Sequence, residues 1–112
     1  MATISPDNPV VTLINVFTVE PAQQQRLVDL LVEATEEVMR HLPGYVSANI
    51  HRGLDGRHVA NYAQWRRRED FEAMLRDPEA QGHMQAAARL ATFAPQLYEV
   101  VFSDGAPSTK TE

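Results

Sequence analysis

Two hydrophobic rhythms alternate along this chain in the order strand, helix, strand, strand, helix, strand, and that order restricts the fold more than any other feature. Val10 to Val19 is rich in β-branched residues and apolar on both faces, the pattern of a central strand buried on both sides, with Asn15 as its one interruption. Glu20-Pro21 ends the strand and opens a helix with proline at its first position. Leu27, Leu30, Leu31, Ala34, Val38 and Leu42 then recur at three- to four-residue spacing, with Asp29, Glu33, Glu36 and Glu37 opposite, until Pro43-Gly44. Tyr45 to His51 and Arg57 to Trp65 alternate with period two about a hairpin connection, Arg52 to Gly56, that holds two glycines. In the first of these strands Val46, Ala48 and Ile50 are expected to face away from Tyr45, Ser47, Asn49 and His51. Arg67 to Arg76 reads as a short helix, and Asp77-Pro78 breaks it and starts a second piece reaching about Leu90. The last strand is expected over Leu97 to Phe102.

Two β-α-β halves of this kind interleave into an α+β, ferredoxin-like β-α-β-β-α-β domain: a four-stranded antiparallel sheet with helices on one face. The domain is expected over residues 10–102, with 1–9 and 103–112 as flexible termini. The uncovered sheet face should carry Ile14, Val16, Val46, Ile50 and Tyr62. That set is too apolar for water, so a homodimer through this face is expected.

Charge and composition remove several function classes. Ten Lys+Arg against fifteen Asp+Glu, with no basic run longer than Arg66-Arg67-Arg68, give a nucleic-acid role little electrostatic support. The absence of cysteine excludes disulfides, zinc-thiolate sites, iron–sulfur clusters and thiol nucleophiles. The four histidines lack His-x-His or His-x-x-x-His spacing, so no non-haem metal is expected. The first residues lack the basic and apolar regions of a signal peptide, and no apolar run approaches a membrane span. A cytoplasmic protein without membrane contact is expected.

Three polar or semi-polar side chains stand out by position. Asn61 and Trp65 lie four apart on a strand and therefore share a face. If that face meets the helices, an amide and an indole N–H project into a cavity there; alternatively Trp65 is a core aromatic and Asn61 bonds backbone. Asn15 sits among apolar residues, where an unbonded amide costs about 1–3 kcal/mol.

Asn61-Tyr62-Ala63-Gln64-Trp65, a following helix with Phe71, Asp77-Pro78, Leu42-Pro43-Gly44-Tyr45 and Ile14-Asn15-Val16-Phe17 together resemble the antibiotic biosynthesis monooxygenase domain family over about residues 10–102. The Asn-Tyr-x-x-Trp strand is similar to that of members that oxidise anthrones of aromatic polyketides. The resemblance implies a homodimer that uses molecular oxygen on a small aromatic substrate with no flavin, metal or haem. It further implies catalytic roles for Asn61 and Trp65, and for His51, which matches a histidine of the anthrone oxidases. Phe71 stands where those enzymes carry a tyrosine, and Met84 where they carry an arginine, so both are expected as substrate-contacting pocket wall. Asn15, Trp65 and His83 also match the Asn, Trp and His set of haem-degrading relatives. Haem is therefore the alternative cofactor, with Asn15 and His83 otherwise expected to bind substrate. A third reading is a non-catalytic dimer that binds a small apolar ligand or assists polyketide cyclisation.

Overall fold

The computed structural model describes residues 2–107. Its elements, in chain order, are β1 (Val11–Val19), a 3₁₀ turn (Pro21–Gln23), α1 (Gln24–Glu37), a second 3₁₀ turn (Met39–His41), β2 (Tyr45–Arg52), β3 (His58–Trp65), α2 (Arg68–Leu75), α3 (Pro78–Ala88) and β4 (Ala91–Tyr98). The strands form one antiparallel sheet in the order β2-β3-β1-β4. This is the expected ferredoxin-like arrangement, with the most apolar strand, β1, inside the sheet.

Strand alternation sets the two faces. Leu13, Phe17 and Val19 of β1 and Val59, Ala63 and Trp65 of β3 are buried beneath the helices, together with Leu27, Ala34, Phe71, Met74, Ala80 and Ala87. They form two apolar clusters, one around Leu13, Trp65, Phe71 and Met74 and the other around Phe17, Leu27 and Val59. Between them along the sheet stand Asn15 and Asn61, which are Cα partners across β1 and β3. An amide pair thus divides the core in two.

The long first helix breaks at Val38, which has φ −124°, and is finished by a 3₁₀ turn instead of continuing to Pro43. Gly44 then takes φ +84°, and a Cβ there would lie 2.2 Å from the Asp70 carboxyl carbon. Only glycine lets β2 leave so close under α2. At the other end of α1 the Gln24 amide donates to the Gly53 and His58 carbonyls, each at 3.0 Å, and so ties the helix to the β2–β3 hairpin. Asp77 caps α3 by accepting from the Ala80 N–H at 3.0 Å, with Pro78 in the first turn.

Two expectations are corrected. The last strand is Ala91–Tyr98, not Leu97–Phe102. Pro95 lies inside this strand, and β4 is an edge strand paired with β1, where a missing N–H is tolerated. Second, Ile50 faces the helices and packs on the Phe17 cluster. A bulge between Tyr45 and Ser47 places Tyr45 opposite Trp65 and Ser47 opposite Gln64, leaving Val46 unpaired. Tyr45 therefore shares the helix side with Ala48 and Ile50.

The face away from the helices is more polar than expected. Ile14, Val16, Tyr62 and Tyr98 share it with Thr12, Ser47, Asn49 and Gln64. Residues 2–9, expected as a flexible lead-in, lie against one end of it. Gln64 donates to the Thr3 carbonyl at 2.8 Å and accepts from the Ser47 hydroxyl at 2.7 Å. Val16 stays 48% exposed, and beyond β4 Val101 and Phe102 are 80% and 78% exposed.

Candidate active site

An apolar pocket of about 90 Å³ lies between the sheet and the helices, at the junction of the two core clusters. Asn15, Asn61, Trp65, Phe71, His83 and Met84 all line it. β1 and β3 supply its floor, α2 and α3 its far wall. Six of the seven residues singled out in the sequence are thus gathered in one place.

The amide pair is the unusual part of this floor. The side-chain oxygens of Asn15 and Asn61 are both buried and neither has a hydrogen-bond partner. Asn61 therefore does not satisfy its oxygen on the backbone, the alternative left open by the sequence. Each orphaned acceptor costs about 1–3 kcal/mol. A fold that keeps two such groups adjacent in an apolar cavity holds them ready for donors that come from outside the chain. Trp65, 3% exposed, forms the wall beside them and meets the Tyr45 ring edge-on at 6.0 Å. Phe71 and Met84 add only apolar surface.

His83 reaches the same cavity from α3. Its Nδ1 lies 3.1 Å from the Glu79 carbonyl one turn earlier, so Nδ1–H donates there and Nε2 keeps its lone pair. His83 is the lining side chain that offers a nitrogen lone pair as a proton acceptor. At the surface, Glu33 and Glu37 of α1 bring a carboxylate oxygen each into a group with a His83 ring nitrogen, all three atoms within 4.8 Å of one another. Sequence spacing missed this group because its members come from two helices.

His51 is not part of the site. It pairs with Ala60 on the opposite face of the sheet and is exposed. The strand parity that turns Ile50 toward the helices turns His51 away from them. Residues missed in the sequence include Tyr45, hidden by the bulge, and Phe93 and Pro95, hidden by the misplaced β4; all three line the cavity. Thr35 lines it too, with its hydroxyl donating to the Leu31 carbonyl at 2.9 Å.

Electrostatic features elsewhere are local. Asp55 in the hairpin accepts from the Arg57 N–H at 2.8 Å and pairs with His58 Nδ1 at 2.5 Å, and these contacts hold its carboxyl below the ordinary value of 3.8. Arg67 is raised by its pairing with Asp70. Among the described residues, no helix is long and apolar enough to cross a membrane.

Known proteins share this architecture. The chain is 48% identical over 108 residues to tetracenomycin-F1 monooxygenase of Streptomyces glaucescens, covering 96% of each. It superposes on a monooxygenase from the gene ActVA-Orf6 of Streptomyces coelicolor, solved with nanaomycin D, with a TM-score of 0.78 and 27% identity over 93% of this chain and 99% of that one. SnoaB of Streptomyces nogalater, a cofactor-independent oxygenase, gives 0.69 and 26% over the same shares. Residues 10–88 match the family model described as antibiotic biosynthesis monooxygenase. With its sheet order, its cavity and these relatives in agreement, the chain belongs to the antibiotic biosynthesis monooxygenase family.

Proposed function

We propose that this enzyme is a cofactor-independent monooxygenase that oxidises a phenolic polyketide of the anthrone type to a quinone with molecular oxygen. The observation that carries the proposal is the pair of orphaned amide oxygens on Asn15 and Asn61, set in an apolar cavity that the imidazole of His83 also lines. A phenol supplies the donor those acceptors lack. The relatives' chemistry supports the same class: one is named for tetracenomycin F1, and another was solved with nanaomycin D.

The reaction asks little of the protein. His83 Nε2 takes a proton from the substrate, and the bonding pair stays behind as a delocalised anion. The amide N–H groups of Asn15 and Asn61 and the indole N–H of Trp65 are the donors available to hold the anion's oxygens. That anion reduces oxygen itself, forming a carbon–peroxide bond. The peroxide anion takes the proton back from His83, which then removes the remaining hydrogen of that carbon as a proton; the C–H pair forms the carbonyl as the O–O bond breaks, and the expelled hydroxide takes the proton from His83 and leaves as water. One oxygen atom enters the product and one enters water, so no external reductant is needed. The apolar walls from Phe71, Met84 and Leu13 keep bulk water from the anion.

A homodimer, joined by the face that bears Val16, Val46 and Tyr98, accompanies this reading, as does a cytoplasmic location beside the pathway that makes the polyketide. Oxygen uptake with the anthrone dithranol, unchanged by a metal chelator, tests the activity. Trp65→Phe should lower kcat roughly ten- to a hundredfold, the effect of losing one donor to a developing anion. No oxygen uptake by the wild-type protein would refute the proposal.

A second reading is favoured by one observation: Asn15, Trp65 and His83 line the same cavity, and the free Nε2 of His83 fits an axial haem ligand. Bound haem would supply oxygen activation, with His83 holding the iron. Titration with haem decides between the readings, since a shifted Soret band that His83→Ala abolishes belongs only to the second.

A further inference from the structure

We propose that Glu33 and Glu37 are positioning residues for proton transfer at His83, stabilising the positive charge its imidazole acquires when it takes a proton from a phenolic ligand. The inference rests on the phenol-binding reading of the cavity and adds a function for two surface carboxylates that this reading leaves unused.

Three features of the structure carry it. A His83 ring nitrogen and one oxygen from each glutamate lie within 4.8 Å of one another, the range of a contact bridged by one water. His83 also lines the cavity, so it belongs both to the site and to the group formed with these carboxylates. The Glu79 carbonyl holds Nδ1 and leaves Nε2 as the proton acceptor, which fixes the tautomer the transfer needs.

The placement of the glutamates points the same way. They stand one turn apart on α1, where like charges repel. Neither takes part in an ion pair among the described residues. The side chains that line the cavity with His83 carry no formal charge at neutral pH, Asn15 and Asn61 from the sheet, Leu75 from α2 and Met84 from α3 among them. A cation formed on His83 lies within reach of both carboxylates and relieves the repulsion between Glu33 and Glu37.

In the step itself the substrate O–H bond breaks, its proton goes to Nε2, and its electron pair stays on the substrate oxygen. Nothing is oxidised at this stage. The carboxylates keep their charge throughout and act by attraction alone.

The isosteric double variant Glu33→Gln/Glu37→Gln removes both charges and keeps the shape, with Glu36→Gln on the same helix as the control. The first readout is binding of 1,8-dihydroxyanthraquinone at fixed pH, whose phenol and phenolate forms absorb at different wavelengths. The bound phenolate-to-phenol ratio should fall roughly three- to tenfold in the double variant, the effect of removing two solvent-screened charge contacts. It should be unchanged in the control. With dithranol, kcat should fall by a similar factor while KM stays within about twofold. The melting temperature should not fall, because a like-charge pair has been removed.

A wild-type ratio in the double variant overturns the inference, as does failure of the wild-type protein to bind the chromophore at all. A glutamate-dependent ratio without any oxygen uptake supports the inference and refutes the oxygenase reading, so the two failures are distinguishable.

Discussion

Replacing Asn61 by leucine tests whether the cavity floor is held in a costly state for the sake of its ligand. Asn61 and leucine have similar volume and branching, so the substitution fills the same space. The wild-type side chain buries an amide oxygen with no partner, at a cost of about 1–3 kcal/mol. Leucine removes that cost and extends the apolar surface shared with Leu13, Ala63 and Trp65. Asn61→Leu should therefore be more stable than wild type by about 1–3 kcal/mol. For a chain of this length each kcal/mol moves the melting temperature by roughly 5 °C. Asn61→Ala removes the same orphan but leaves a void, and the two effects should nearly cancel. Both variants should oxidise dithranol at roughly a tenth to a hundredth of the wild-type rate, since a donor to the substrate anion is gone. The assay is thermal or urea unfolding at one fixed protein concentration, because self-association would make the midpoint concentration-dependent. A leucine variant at least 1 kcal/mol less stable than wild type would refute the reasoning. It would mean that the Asn61 oxygen is satisfied in solution and that the floor stores no cost.

Val16→Asp should convert a homodimer to monomers of 12.6 kDa or unfold it, read by light scattering, because Val16 is 48% exposed on the face assigned to the partner. A wild-type protein that scatters as a monomer at micromolar concentration would remove the basis for this. Truncation after Ser103 should change the melting temperature by less than a few degrees, since β4 ends at Tyr98 and the Ser103 hydroxyl keeps its contact with the Ile4 carbonyl at 3.3 Å. Part of the removed tail, 108–112, lies outside the described residues. Asp55→Asn should lower stability at neutral pH and leave it unchanged near pH 2. The carboxyl of Asp55 is held below 3.8 in the folded chain, so its contribution is present above that value and disappears as pH falls through the lowered one. Chemical denaturation at the two pH values reads the difference.

The order of elements was legible from hydrophobic periodicity, and part of the cavity floor from parity. Asn61 and Trp65 share a face whatever the tertiary details, and the register of β1 on β3 brings Asn15 beside Asn61. His51 lies outside the cavity because Ile50 and His51 face opposite ways and the alternation of β2 does not by itself say which face the helices cover. β4 was misplaced because Pro95 weakens a strand everywhere except at an edge, and the sequence does not say which strand is the edge. Tyr45 and the contact of Glu33 and Glu37 with His83 depend on a bulge and on a helix–helix approach. Neither leaves a periodic trace along the chain.

The bulge in β2 has a further consequence for how this chain can change length. With Val46 removed, Tyr45 and Ser47 would become adjacent residues of a regular ladder, still facing Trp65 and Gln64. Every other residue of the strand would keep its side of the sheet. With the bulge kept, a deletion of Ala48 or Asn49 would instead shift one side of the strand by one residue and turn its side chains to the opposite face. The bulge at Val46 is thus a place in β2 where one residue can be lost without rewriting the pocket.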